Sequence, residues 1–152
     1  MWACAPLAKV DPSEMAGWIS AISFEDWPQQ SRLADDKIRP AMVSDRNWRG
    51  FGAVAWPLIQ VLGFDETNAY QLMLSAVMPG HSIPAHRDEQ ADYWQFRVHV
   101  PLLTNAKAYT KMDGKKYYLK VGQAYKVNTR EEHAIFNDGP TPRVHFMFDV
   151  RG

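Results

Sequence analysis

From residue 69 onward, turn residues cut the chain into short β-type runs at hairpin intervals, a spacing that few folds satisfy. Ala69 to Met78 is mostly apolar and stops at Pro79-Gly80. Phe96 to Leu103 opens with polar and apolar residues in alternation, as a half-buried strand requires. Lys107–Met112 and Lys115–Val121 flank Asp113-Gly114, a pair that favours a tight primed hairpin turn. Gln123–Val127 follows, and then Glu132–Phe136 and Arg143–Val150 lie on either side of the turn-rich stretch 137–142. Seven or eight such strands predict a mainly β domain, a sandwich or a jelly roll, with flanking helices.

The preceding residues read differently. Asp11-Pro12-Ser13-Glu14 combines a helix cap, a first-turn proline and an acid, and Met15, Trp18, Ile19 and Ile22 share one helical face. A second helix is expected over Ala55–Leu62, ending at Gly63, with a strand over 47–56 before it. The 152 residues suit one domain, read as a helical flank over 1–67 and a β core over 68–150. Lys plus Arg equals Asp plus Glu, 17 each, so no basic surface calls for nucleic acid or an anionic membrane. No apolar run reaches the roughly 18 residues of a membrane span, and the start lacks the basic region of a signal peptide. The single Cys4 forms no internal disulfide and is read as an inert thiol; a cytoplasmic location is expected.

All five histidines, 81, 86, 99, 133 and 145, fall in the β half. His86 and Asp88 form an H-x-D pair that an extended strand would present on one face. A histidine from another strand would complete a 2-His-1-carboxylate facial triad, the open-sided arrangement of non-haem Fe(II) oxygenases, and His133 is placed for it. Arg143, beyond the next turn, is expected on the adjoining antiparallel strand, where its guanidinium suits the remote carboxylate of a dicarboxylate. Singly, each residue has a plainer reading: a solvated pair, a capping acid, a core histidine, a surface ion-pair partner. Their order and spacing together favour the site.

Ser75-Ala-Val-Met-Pro-Gly-His-Ser-Ile-Pro-Ala-His-Arg-Asp88, then Arg97-Val-His-Val-Pro-Leu102, then Glu132-His-Ala-Ile-Phe-Asn-Asp-Gly-Pro-Thr-Pro-Arg-Val-His145, resemble the aspartyl/asparaginyl β-hydroxylase family over residues 70–150. The resemblance implies a double-stranded β-helix, a jelly-roll and cupin-like fold, and a dioxygenase using Fe(II) and 2-oxoglutarate. It implies iron ligation by His86 and His133, and cosubstrate contacts from Ser75, Arg97, His99 and Arg143. Some peptide-modifying members lack the carboxylate ligand; Asp88 departs from them and aligns this chain with members that keep a full triad. The implied partners are O2 and a small-molecule or peptide substrate, hydroxylated with release of succinate and CO2.

His145 shares a face with Arg143 and is read as a core histidine or a cosubstrate support. His81 is placed in a turn, Arg87 at the surface, and Trp48, Trp56, Tyr93 and Trp94 near a pocket mouth. Two other readings remain open: a cupin-like isomerase or hydrolase using Zn or Mn, which has no use for Arg143, and a non-catalytic ligand-binding β-sandwich, in which His86, Asp88 and His133 need not converge.

Overall fold

A computed structural model describes residues 2–28 and 41–152. In chain order the elements are β1 (Cys4–Lys9), α1 (Ser13–Ser20), β2 (Ala41–Val43), α2 (Phe51–Val61), β3 (Ala69–Val77), β4 (Ser82–His86), β5 (Trp94–Leu103), β6 (Ala108–Met112), β7 (Lys115–Tyr117), β8 (Gln123–Val127), β9 (His133–Asn137) and β10 (Arg143–Arg151). They form two antiparallel sheets, β1-β8-β5-β10-β3-β2 and β4-β9-β6-β7. This is the expected mainly β, jelly-roll architecture with two helices beside it. Among the described residues no helix is long and apolar enough to cross a membrane.

The two faces of the large sheet have opposite characters. One carries Leu72, Leu74 and Ala76 of β3, Val98, Val100 and Leu102 of β5, and Val144, Phe146, Phe148 and Val150 of β10. Against it lie Met15 and Ile19 of α1 and Phe51, Ala55, Leu58 and Ile59 of α2, spaced as one helical face, and together they make the principal apolar core. The alternate residues face the smaller sheet: Ser75, Arg97, His99, Arg143, His145 and Asp149, most of them buried. A strand's period of two therefore places an apolar core on one side and a polar chamber on the other.

Several boundaries follow the turn chemistry. Asp113 (φ 50°) and Gly114 (φ 70°) both take left-handed conformations, the primed turn expected between β6 and β7. Segment 47–56, expected as a strand, is a 3-10 turn over Trp48–Gly50 running directly into α2. Arg49 (φ 48°) and Gly50 (φ 75°) supply the reason, since two consecutive left-handed residues break an extended chain. Two strands from the first half join the large sheet, β1 on β8 and β2 on β3. The expected pairing of β9 with β10 is also corrected: they belong to opposite sheets, and β9 pairs with β4 and β6. Arg143 and His133 consequently belong to opposite sheets rather than to adjoining strands of one.

Candidate active site

The polar faces of the two sheets enclose a cavity of about 850 Å³, with Ser75, His86, Asp88, Arg97, His99 and His133 in its wall. That volume falls within the range of sites that hold a small molecule. His86 closes β4 and lies directly opposite His133 on β9, their rings 4.3 Å apart. His86 Nδ1 is 2.8 Å from the Pro84 carbonyl, and His133 Nδ1 is 2.8 Å from the Glu131 carbonyl. A carbonyl only accepts, so each Nδ1 carries the proton and each Nε2 presents a lone pair.

Asp88 lies beyond the end of β4 and not on the strand with His86, as the H-x-D spacing had suggested. Its backbone N–H donates to the Thr129 carbonyl at 2.9 Å, which holds the turn so that the side chain still reaches the histidines. His86 Nε2 is 3.4 Å from Asp88 Oδ1 and His133 Nε2 is 3.8 Å from Oδ2. Ligand atoms of His86, Asp88 and His133 all lie within 4.8 Å of one another. Two neutral imidazoles and a carboxylate are a donor set that suits Fe(II), and their proximity suits a single ion.

The electrostatics favour the Asp88 carboxylate and a neutral His133, while His86 keeps its proton more readily until a cation takes its Nε2. Burial pushes the Asp88 carboxyl up, but the hydrogen bond with His86 and the charges of Arg97 and His133 outweigh it and hold the group below its ordinary value. Burial lowers His133 and keeps it neutral, whereas the hydrogen bond with Asp88 raises His86. His99 and His145 are buried, with Nδ1 atoms 3.0 Å apart. Burial, reinforced by Arg143, drives both well below the ordinary histidine value. A neutral pair fits that geometry, one ring donating and the other accepting.

Arg143 is 2% exposed, and neither terminal nitrogen has a hydrogen-bond partner among the described residues. It borders a void of about 10 Å³ whose wall shares Thr110 and Leu119 with the large cavity. A buried guanidinium without an acceptor is costly, and a carboxylate ligand would satisfy it in a forked, two-bond contact. Ser75 lies on β3 opposite His145 of β10. Arg97 is already engaged: Nε and Nη2 donate to Asp149 at 2.8 and 3.0 Å, and Nη1 donates to Asp88 Oδ2 at 3.0 Å.

Other expected residues fall elsewhere. His81 bonds back to the Pro79 carbonyl and is absent from the cavity wall, whereas Arg87 is exposed yet borders it. Trp48 packs with Trp18 and Trp27, Trp56 lies under Arg46, Tyr93 pairs with Tyr70, and Trp94 donates to Asp149; none lines the cavity. Sequence reasoning missed Gln71, which does line it. Gln71 (φ 51°) sits where the register of β3 on β10 shifts, a left-handed residue inside a strand, and no sequence signal marked it.

Cys4 also borders the cavity, and burial pushes its thiol up to about 11 from 9.0. At pH 8 its thiolate fraction should be about 100-fold below that of a thiol with an unshifted value. Reaction with a chromogenic disulfide reagent should be correspondingly slow in the folded protein and fast in denaturant. A folded-state rate equal to that of a free cysteine derivative would contradict this half-buried placement.

Similar folds occur among solved structures. The non-haem α-ketoglutarate-dependent epimerase SnoN from nogalamycin biosynthesis matches with TM-score 0.65 and 12% identity over 97% of this chain and 77% of that one. An oxidoreductase of the 2OG-Fe(II) oxygenase family from Burkholderia pseudomallei gives 0.55 and 11%, covering 90% and 77%. The viral collagen prolyl hydroxylase from Paramecium bursaria Chlorella virus-1 gives 0.54 and 13%, covering 95% of both. At these identities the likeness speaks for the fold alone. No curated protein matches the sequence. Residues 53–152, which contain His86, Asp88, His133 and Arg143, match the family described as Aspartyl/Asparaginyl beta-hydroxylase. The chain belongs to that family, and thereby to the enzymes that oxidise their substrates with Fe(II), 2-oxoglutarate and O2.

Proposed function

We propose that this enzyme hydroxylates a C–H bond of an amino acid, free or within a peptide, with His86, Asp88 and His133 as iron ligands. Arg143 takes the remote carboxylate of 2-oxoglutarate, and Ser75 and His99 contact the cosubstrate within the same chamber. The observation that carries the reading is the buried, unpartnered guanidinium of Arg143 beside a small void whose wall shares Thr110 and Leu119 with the triad's cavity. A metal isomerase or hydrolase has no use for such a group.

Each protein part has a defined task. Fe(II) with 2-oxoglutarate supplies the oxidising power, with O2 and the keto acid consumed and succinate, CO2 and an alcohol formed. The carbonyls of Pro84 and Glu131 fix the tautomers of His86 and His133, so the metal-facing nitrogens need no proton loss. His86, Asp88 and His133 would hold the ion through three protein atoms and leave room in the cavity for the keto acid and O2. Ile83, Ile135 and Met147 add an apolar wall that limits water near the reacting centre. A cytoplasmic location is part of the same reading and is tested by cell fractionation.

Anaerobic addition of Fe(II) and 2-oxoglutarate should produce a visible charge-transfer band in the wild-type protein and none in His86→Ala. Admitting air should then release succinate, faster when the right substrate is present. Absence of the band in wild type, or its persistence in His86→Ala, would sink the proposal. Screening amino acids and peptides for stimulated succinate release identifies the substrate.

A further inference from the structure

We propose that Arg97, backed by Asp149 and Trp94, is a positioning residue that fixes Asp88 with one carboxylate oxygen turned to the metal. This rests on the triad reading above and adds to it a device that the resemblance does not imply, since there Arg97 is a cosubstrate contact.

Asp88 needs such support. It lies past the end of β4, so no strand register holds its side chain, and that side chain is 25% exposed. The large sheet offers a rigid anchor, for there Arg97 on β5 stands directly opposite Asp149 on β10. Asp149 is completely buried and accepts three hydrogen bonds: from Arg97 Nε at 2.8 Å, from Arg97 Nη2 at 3.0 Å and from Trp94 Nε1 at 3.1 Å. The forked contact locks the guanidinium plane, and the locked plane aims Nη1 at Asp88 Oδ2, 3.0 Å away. That bond occupies Oδ2 and leaves Oδ1, which lies 3.4 Å from His86 Nε2.

One cation thus bridges the two acids: its fork is spent on a structural carboxylate and its remaining arm holds the proposed ligand. A residue meant chiefly to bind a passing carboxylate would keep its fork free, as Arg143 does. The arrangement is an outer-shell contact of the kind whose loss weakens metal binding without removing a ligand.

The test is Co(II) titration of the metal-free protein, followed by its visible absorption in the absence of 2-oxoglutarate. The double variant Arg97→Gln/Asp149→Asn removes both charges together, so no buried ion is stranded. It should bind Co(II) about 10- to 100-fold more weakly than wild type. Added to Asp88→Ala, the same pair should cause no further loss, and 2-oxoglutarate affinity at saturating Co(II) should stay at its wild-type value. Unchanged Co(II) affinity with weakened 2-oxoglutarate binding would overturn the proposal and return Arg97 to the cosubstrate. An equal loss in the Asp88→Ala background would overturn it as well. Should circular dichroism show the double variant unfolded, Trp94→Phe decides. Loss of the indole N–H should weaken Co(II) binding alone, and unchanged Co(II) affinity would reject the proposal. Wild-type protein binding Co(II) no better than His86→Ala would instead remove the triad reading on which this one stands.

Discussion

Replacing Arg143 with methionine should raise the melting temperature of the ligand-free protein and abolish its stabilisation by 2-oxoglutarate. The guanidinium is 2% exposed and its terminal nitrogens have no acceptor among the described residues. Burial alone pushes its pKa down to about 9, well below the ordinary arginine value. At pH 7, below both values, the group is charged in the folded and the unfolded chain, so the whole desolvation penalty weighs on the folded state. As pH rises past about 9, the folded protein releases the proton first and the penalty shrinks. Methionine fills much of the same space without a charge. Replacing buried ionic groups by apolar ones gains about 1–4 kcal/mol in other proteins, and a gain of that order is expected here. Wild type, by contrast, should gain about 2.7 kcal/mol from 2-oxoglutarate at 100 times its Kd, a gain the variant lacks. Differential scanning fluorimetry with and without the keto acid reads both effects. A variant that melts lower than wild type and still responds to 2-oxoglutarate would refute the assignment.

Asp149→Ala should be the most damaging single change at the site. It strips the fork from Arg97 and the acceptor from the Trp94 indole, leaving a buried cation held only by Asp88. Removing one partner of a buried ion pair costs about 3–5 kcal/mol, a large share of a small domain's stability. Urea denaturation should show the midpoint falling with an unchanged slope. Asp149→Asn keeps an acceptor oxygen and should lose less. A loss in Asp149→Ala below about 1 kcal/mol, the level of an exposed pair, would show that water enters this part of the sheet.

The strands from Ala69 onward were legible because turn chemistry is local: Pro79-Gly80, Asp113-Gly114 and the stretch 137–142 all end elements where expected. Which sheet a strand joins is a long-range matter, which is why β9 and β10 were paired wrongly. β1 escaped notice because CAPLAK lacks alternation and carries Pro6, and its pairing with β8 is itself interrupted between Pro6 and Ala8. The meeting of His86, Asp88 and His133 followed from the H-x-D spacing even though Asp88 lies off the strand. The engagement of Arg97 could not be read, because its partner Asp149 comes more than fifty positions later and becomes its neighbour only through the β5–β10 register.

The pairing of Cys4 with Val127 has a bearing on how the site comes into being. Cys4 belongs to the cavity wall, so the chamber is finished only when the earliest strand docks on the eighth. Contacts this distant along the chain carry a large loop-closure cost and place such β-topologies among the slow folders, in the millisecond-to-second range. Until that docking the edge of β8 lies bare, ready to accept any other extended chain. Crowding during refolding therefore threatens the enzyme at the wall of its own active chamber.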